Sequence, residues 1–124
     1  MNAAYAYAMV LLTVTLTVYG QFVIKWQALR AGPLPLETRD QAIFLLKLLL
    51  NPWVLSALLA AFLASIAWML AMTKLDISRA FPLTALTFIC VVVGGAIFFK
   101  EPLTLMKIVG VALLALGILA TSQG

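Results

Sequence analysis

Charge is what this sequence lacks most. Of its 124 residues only 10% are charged while 65% are apolar, whereas a soluble domain carries about 25% charged residues. Water is therefore not its principal solvent. There is no histidine, and no Cys/His cluster that could hold zinc, so no metal site is expected. The single cysteine, Cys90, can form no intrachain disulfide and says nothing about redox compartment. Only four carboxylates exist, Glu37, Asp40, Asp76 and Glu101, all between apolar runs. That excludes a catalytic acid pair, and an enzyme is not the expected reading. Eight basic residues give a net charge of +4, yet no Lys/Arg run is interleaved with aromatics, which argues against nucleic acid as a partner.

What is present is long apolar runs. Side-chain charges are missing from residues 1–24, 48–73, 80–99 and 108–124, and a bilayer-spanning helix needs about 20 such residues. Backbone polar groups inside hydrocarbon must be satisfied within the segment, which selects helices over open strands. The chain is thus expected to be all-α, a single membrane domain with four transmembrane helices at about 5–26, 52–72, 80–99 and 103–121. No Lys or Arg precedes the first run, and it exceeds the about 7 to 15 residues of a signal-peptide core, so it is expected to remain in the mature protein.

The connections are legible from turn chemistry. Arg30-Ala31-Gly32-Pro33-Leu34-Pro35 breaks the first helix. The stretch from Glu37 to Leu50, apolar from Ala42 onward except for Lys47, predicts a short interfacial helix. Asn51-Pro52 predicts the start of the second span, with Asn as cap and Pro in the first turn. Lys100-Glu101-Pro102 predicts a tight turn into the fourth, with Glu101 beside that helix's N-terminus, where the macrodipole favours an acid. Lys25, Arg30, Arg39, Lys47, Lys100 and Lys107 fall on one membrane face, and only Lys74 and Arg79 on the other. This bias puts the first and third loops in the cytoplasm and both termini outside.

Polar residues inside the spans are the candidate functional groups, because each costs free energy unless it faces protein, water or ligand. Thr13, Thr17, Gln21 and Lys25 recur every four residues along the first helix, with Tyr19 and Gly20 close by. A threonine hydroxyl can be absorbed by its own helix, and Lys25 can snorkel. The four hydrogen-bonding sites of Gln21 cannot be met that way. The second span offers Ala57, Ala61, Ala64, Ser65 and Trp68, and the third Thr84, Thr87, Val91 and Gly94. Small residues at such spacing read first as close helix packing. Gly110, Leu114, Gly117 and Thr121 make a narrow seam on the fourth helix, a candidate dimer contact. Arg79 and Lys25 stand at opposite faces, either as orienting charges or as phosphate contacts at the two ends of a path.

Gly20-Gln21-x-x-x-Lys25, Ala80-Phe81-Pro82-Leu83 and Lys100-Glu101-Pro102 ahead of a glycine-spaced last helix together carry a resemblance that covers essentially the whole chain. The sequence resembles the small four-helix branch of the drug/metabolite transporter superfamily, which includes the small multidrug resistance proteins and the EamA-like proteins. Within that branch it is similar to the subunits of the flippase that moves aminoarabinose-linked undecaprenyl phosphate across the bacterial inner membrane. Small multidrug resistance proteins carry a membrane-embedded glutamate three residues before the glycine matching Gly20, where this sequence has Thr17. Without that acid, proton-coupled cation antiport loses its counter-charge and proton carrier.

The resemblance implies an inner-membrane transporter subunit with no cofactor, whose substrate is a lipid-linked anionic sugar among membrane lipids. Its substrate-binding candidates are Thr17, Tyr19, Gln21, Lys25, Trp68, Arg79, Thr84 and Thr87. Four helices hardly enclose such a cavity, so a homodimer, or a heterodimer with a similar four-helix protein, is expected. Export or facilitated movement of a small polar metabolite or drug, and a non-transporting accessory role beside a membrane glycosyltransferase, are the competing readings.

Overall fold

Side-chain caps and one proline set where the helices of this chain begin and bend. In the computed structural model, which describes residues 2–124, the Asn2 side chain accepts from the Tyr5 amide at the head of α1, Ala3–Ala31. Asn51 accepts from the amides of Trp53 and Val54 and so opens α3, Pro52–Met72, with Pro52 at its first turn. Between them α2, Thr38–Leu49, is 12 residues long, about 18 Å at 1.5 Å per residue, and too short to cross a bilayer.

The third crossing is a composite. Its first turn, α4, spans Ile77–Ala80, followed by a 3-10 segment Phe81–Ala85 and then α5, Leu86–Phe98. Pro82 lies within the 3-10 segment, where its missing N–H and its ring are incompatible with a regular i to i−4 ladder. At the far end Lys100 adopts a left-handed φ of 55°. That reversal lets the Glu101 amide reach the Gly95 carbonyl at 3.1 Å and closes the helix. Thr104, not Glu101, caps α6, Leu105–Ser122. The result is an all-α protein in which four helices are long and apolar enough to cross a membrane, Ala3–Ala31, Pro52–Met72, Ile77–Phe98 and Leu105–Ser122.

The spans pack unequally. α1 is central: α3 lies along one flank, and α5 with the 3-10 segment along another, while α6 packs mainly on α5 and the 3-10 segment. The α1–α3 seam is made of small side chains. Val54, Ala57, Ala60, Ala64, Ala67 and Ala71 of α3 are buried, at the three- and four-residue spacing that keeps one helix face turned toward a neighbour. Gly20 sits over Ala57, whose carbonyl oxygen would lie 3.4 Å from a Cβ at that position. In lipid such close approach is favoured by dispersion rather than by expulsion of water. On α5, Gly94 receives the ring of Phe22, which also packs edge-on against Phe98 at 5.7 Å between centroids. α6 buries no residue at all. Its leucines Leu113, Leu116 and Leu119 are exposed, as lipid-facing side chains should be.

α1 has 29 residues, longer than the about 20 that fill a hydrocarbon core. Its last turns, beyond Trp26, therefore project into the headgroup region. Lys25 of α1 pairs with Glu101 at 3.7 Å, and Arg79 donates to the Gly124 carbonyl. The first and third loops thus share one end of the bundle, and the second loop and the chain's last residues share the other.

Candidate functional site

α1 supplies the floor of a groove and α3 one wall, and the 3-10 segment closes it from the other side. The groove has a volume of about 460 Å³. Its lining runs from Thr13 to Ile24 on α1 and from Ala57 to Met69 on α3, with Phe81 and Thr84 from the third span. Ala61 and Ala64 stand near the midpoint of α3, so the groove lies at membrane mid-depth. It forms because Ala57, Ala61 and Ala64 leave little side chain between the helices, while Pro82 holds the third span away from a regular helical path. At one end the Trp68 and Phe81 rings meet edge to face, 6.0 Å apart, as an apolar wall.

The polar groups in the groove are arranged as acceptors. Thr17 Oγ1 donates to the Thr13 carbonyl at 2.7 Å, Ser65 Oγ to the Ala61 carbonyl at 3.1 Å, and Thr84 Oγ1 to the Phe81 carbonyl at 2.6 Å. Thr13 Oγ1 lies 2.9 Å from the Met9 carbonyl and 3.3 Å from that of Ala64 across the seam, so it also ties α1 to α3. Each hydroxyl hydrogen is spent within the protein, which leaves oxygen lone pairs free to accept. Gln21 differs. Its side chain is exposed to the groove, and among the described residues its amide makes no hydrogen bond. It offers two N–H donors and a carbonyl acceptor inside the span, about one turn short of Lys25, where an unmet polar group costs about 1–3 kcal/mol. Among the described residues no ionisable side chain lines the groove. The arrangement can hold a neutral, hydroxyl-bearing group by hydrogen bonds and one apolar face against the aromatic wall.

The structure sorts the sequence-derived residues into two groups. Thr17, Gln21, Trp68 and Thr84 come together in this groove. Tyr19, Lys25, Arg79 and Thr87 do not line it. Tyr19 is two residues from Gln21, a rotation of about 200° around the helix axis, and its hydroxyl instead meets Ser56 Oγ at 2.7 Å. Lys25 is turned to Glu101, and Arg79 to the Gly124 carbonyl. Thr87 lies on α5, one turn beyond Thr84 and half-buried. On α6, a Cβ added at Gly110 or Gly117 would meet nothing within 4 Å, while Leu114 of the same seam is half-buried.

Sequence reasoning passed over Gln27, which is 5% exposed and hydrogen-bonded through Oε1 to Asn51 Nδ2 at 3.1 Å. Its position just past Trp26 placed it outside the expected span. The available signal was a second amide, six residues after Gln21, preceding Arg30 without an intervening helix breaker.

Residues 2–123 match the EamA-like transporter family. Over 68 residues the chain is 31% identical to a protein of Pseudomonas aeruginosa named as a probable 4-amino-4-deoxy-L-arabinose-phosphoundecaprenol flippase subunit ArnE, a match covering 55% of this chain and 59% of that one. Proteins of the same name in Hamiltonella defensa and Pseudomonas savastanoi are similar as well. The first is 35% identical over 57 residues, 46% of this chain and 51% of the relative. The second is 29% identical over 66 residues, 53% and 58% respectively. The chain thus spans 51% to 59% of the length of these relatives. No solved structure matches it.

Proposed function

Because the chain belongs to the EamA-like transporter family, we propose that it is a subunit of a flippase that moves a polyprenyl-phosphate-linked sugar across a bacterial inner membrane, the sugar passing through the groove on α1. The observation that carries this reading is the groove itself: uncharged, at mid-depth, and lined by hydroxyl acceptors and the unpaired amide of Gln21. Carrying a sugar through hydrocarbon requires its hydration to be replaced, because each polar group left unpaired there costs several kcal/mol, about 2–7 by transfer measurements. Thr17, Thr84 and Ser65 accept from sugar hydroxyls, Gln21 both donates and accepts, and Trp68 stacks on the sugar's apolar face. The polyprenyl tail stays in lipid. The names of the relatives, flippase subunits whose substrate is a sugar on phosphoundecaprenol, support the substrate class.

A transporter subunit needs a partner, and the Gly110–Leu114–Gly117 seam on α6, open at its two glycines, is the surface proposed for it, whether a second copy or a similar four-helix protein. Lys25 and Arg79 stand at opposite rims, Lys25 held by a half-exposed Glu101 that can release it. The six-to-two distribution of basic residues sets the termini on the periplasmic side. A reporter fused after Gly124 is expected to read out as periplasmic, and a cytoplasmic readout overturns that orientation.

Reconstitution tests the function. In liposomes, with a partner subunit co-purified if one is found, the protein is expected to move undecaprenyl-phosphoryl sugar between leaflets, and Gln21→Leu to slow that movement about tenfold or more, as the loss of about 1.5 kcal/mol or more of hydrogen bonding requires. Movement no faster than in protein-free liposomes refutes the flippase reading. Movement unaffected by Gln21→Leu refutes only the assignment of the groove.

A further inference from the structure

A second hollow, about 760 Å³, lies at the end of the bundle where α1, α2 and α3 meet. Gly32, at a φ of 87°, turns the chain, and Gln41 Nε2 donates to the Pro35 carbonyl at 2.9 Å, so that α2 folds back beneath the end of α1. Asp40, Ile43, Phe44, Lys47 and Leu48, one face of α2 by their spacing, look into the hollow, opposite Arg30 of α1 and Trp53 of α3. Ile24 ends the mid-membrane groove and Gln27 lines this hollow. The two sites are therefore about one turn apart along α1, with this one among the headgroups.

Two features of the hollow call for a ligand. Its cations make no ion pair with the protein: among the described residues the one ion pair is Lys25–Glu101, and the Arg30 guanidinium instead lies 5.7 Å from the Trp26 ring centroid. A ring face holds a guanidinium in place without quenching its charge. The second feature is Gln27. It lines the hollow and is 5% exposed, with its Oε1 taken by Asn51, and its Nε2 is a buried donor with no partner among the described residues. Orienting a membrane protein requires positive charge near helix ends, but neither a hollow nor a convergence of cations upon it.

We propose that this hollow is a binding site for a phosphoryl group at the membrane surface, with Arg30 and Lys47 as its charged contacts. At headgroup depth the abundant anion is phosphate, and a guanidinium fork matches its oxygens. Asp40, among the described residues the one carboxylate lining the hollow, opposes the anion and limits affinity. The site is separate from the groove, and binding to it does not depend on transport.

The test uses the full-length protein in a zwitterionic detergent, with binding read by native mass spectrometry. Dioleoyl phosphatidic acid is compared with dioleoylglycerol, which has the same tails and no phosphate, and with inorganic phosphate as competitor. Phosphatidic acid is expected to bind about tenfold or more tightly than dioleoylglycerol, and Arg30→Gln with Lys47→Gln to remove that preference, as two charge-assisted hydrogen-bonding groups are lost. Asp40→Asn is expected to tighten binding about twofold, the Coulomb effect of removing one like charge in a wet site. Lys74→Gln, at the opposite face, and the melting profile of each variant report whether the protein is folded. Competition by inorganic phosphate at similar affinity assigns the phosphoryl source to a soluble ligand, and its failure to compete assigns a lipid. Equal binding of the two lipids, or a preference that survives the double substitution in protein that retains its melting profile, overturns the proposal.

Discussion

The contact between Phe22 and Gly94 holds the third span against α1 and so fixes one side of the groove. A methyl group at Gly94 would lie 2.0 Å from Phe22 Cζ and 2.8 Å from both Cε atoms, against about 3.5–4.0 Å for apolar contact. The ring cannot simply swing aside, because Phe98 and Phe99 stand 5.7 and 6.2 Å from its centroid. Overpacking of this kind costs about 1–3 kcal/mol, and replacing a helical glycine by alanine returns about 1 kcal/mol of propensity. Gly94→Ala is therefore expected to destabilise the protein by about 1 kcal/mol. In a Phe22→Ala background the obstruction is gone, only the propensity gain remains, and the same substitution stabilises by about 1 kcal/mol. The predicted coupling is about 2 kcal/mol, measured as a double-mutant cycle by reversible unfolding in mixed micelles. If Gly94→Ala has the same sign in both backgrounds, the α1–α5 packing described above is wrong.

Other substitutions probe the remaining contacts. Asn51→Ala removes the cap of α3 and the partner of Gln27 Oε1, and is expected to cost about 2 kcal/mol in the same unfolding measurement, about half from each loss. Gly110→Leu with Gly117→Leu is expected to leave unfolding of the single chain unchanged, since nothing lies within 4 Å of either site, while lowering energy transfer between labelled copies or partner subunits in liposomes. Lys100→Gly relieves a left-handed residue at φ 55° and is expected to stabilise by about 0.5 kcal/mol, the strain relieved exceeding the added chain entropy of glycine. Lys100→Val, β-branched at the same φ, is expected to destabilise, and a thermal melt that ranks valine above glycine would contradict the turn geometry.

Much of this protein follows from its sequence alone, because bilayer thickness and backbone hydrogen bonding act on every residue in the same way. Charge-free runs mark the crossings, Asn51-Pro52 sets a helix start, and Glu37, Arg39, Asp40 and Lys47 confine the stretch to Leu50 to a short helix that cannot span. Four-residue spacing put Thr17 and Gln21 on one stripe, and both line the groove. The periodicity of one helix does not say which neighbour each face meets. Lys25 continues that stripe and Tyr19 lies close by, yet Glu101 engages the first and Ser56 the second, since the partners come from the turn before α6 and from α3. The seam of alanines on α3, the bend at Pro82 and the fold-back of α2 decide where space is left between helices. Arg30 and Lys47, read from the sequence as orienting charges, and Gln27, which the sequence did not single out, line one hollow only because Gly32 turns the chain. Which residues share a helix face is a local property fixed by the 3.6-residue turn. Which faces leave an opening depends on how several helices pack at once, and that is decided by tertiary structure.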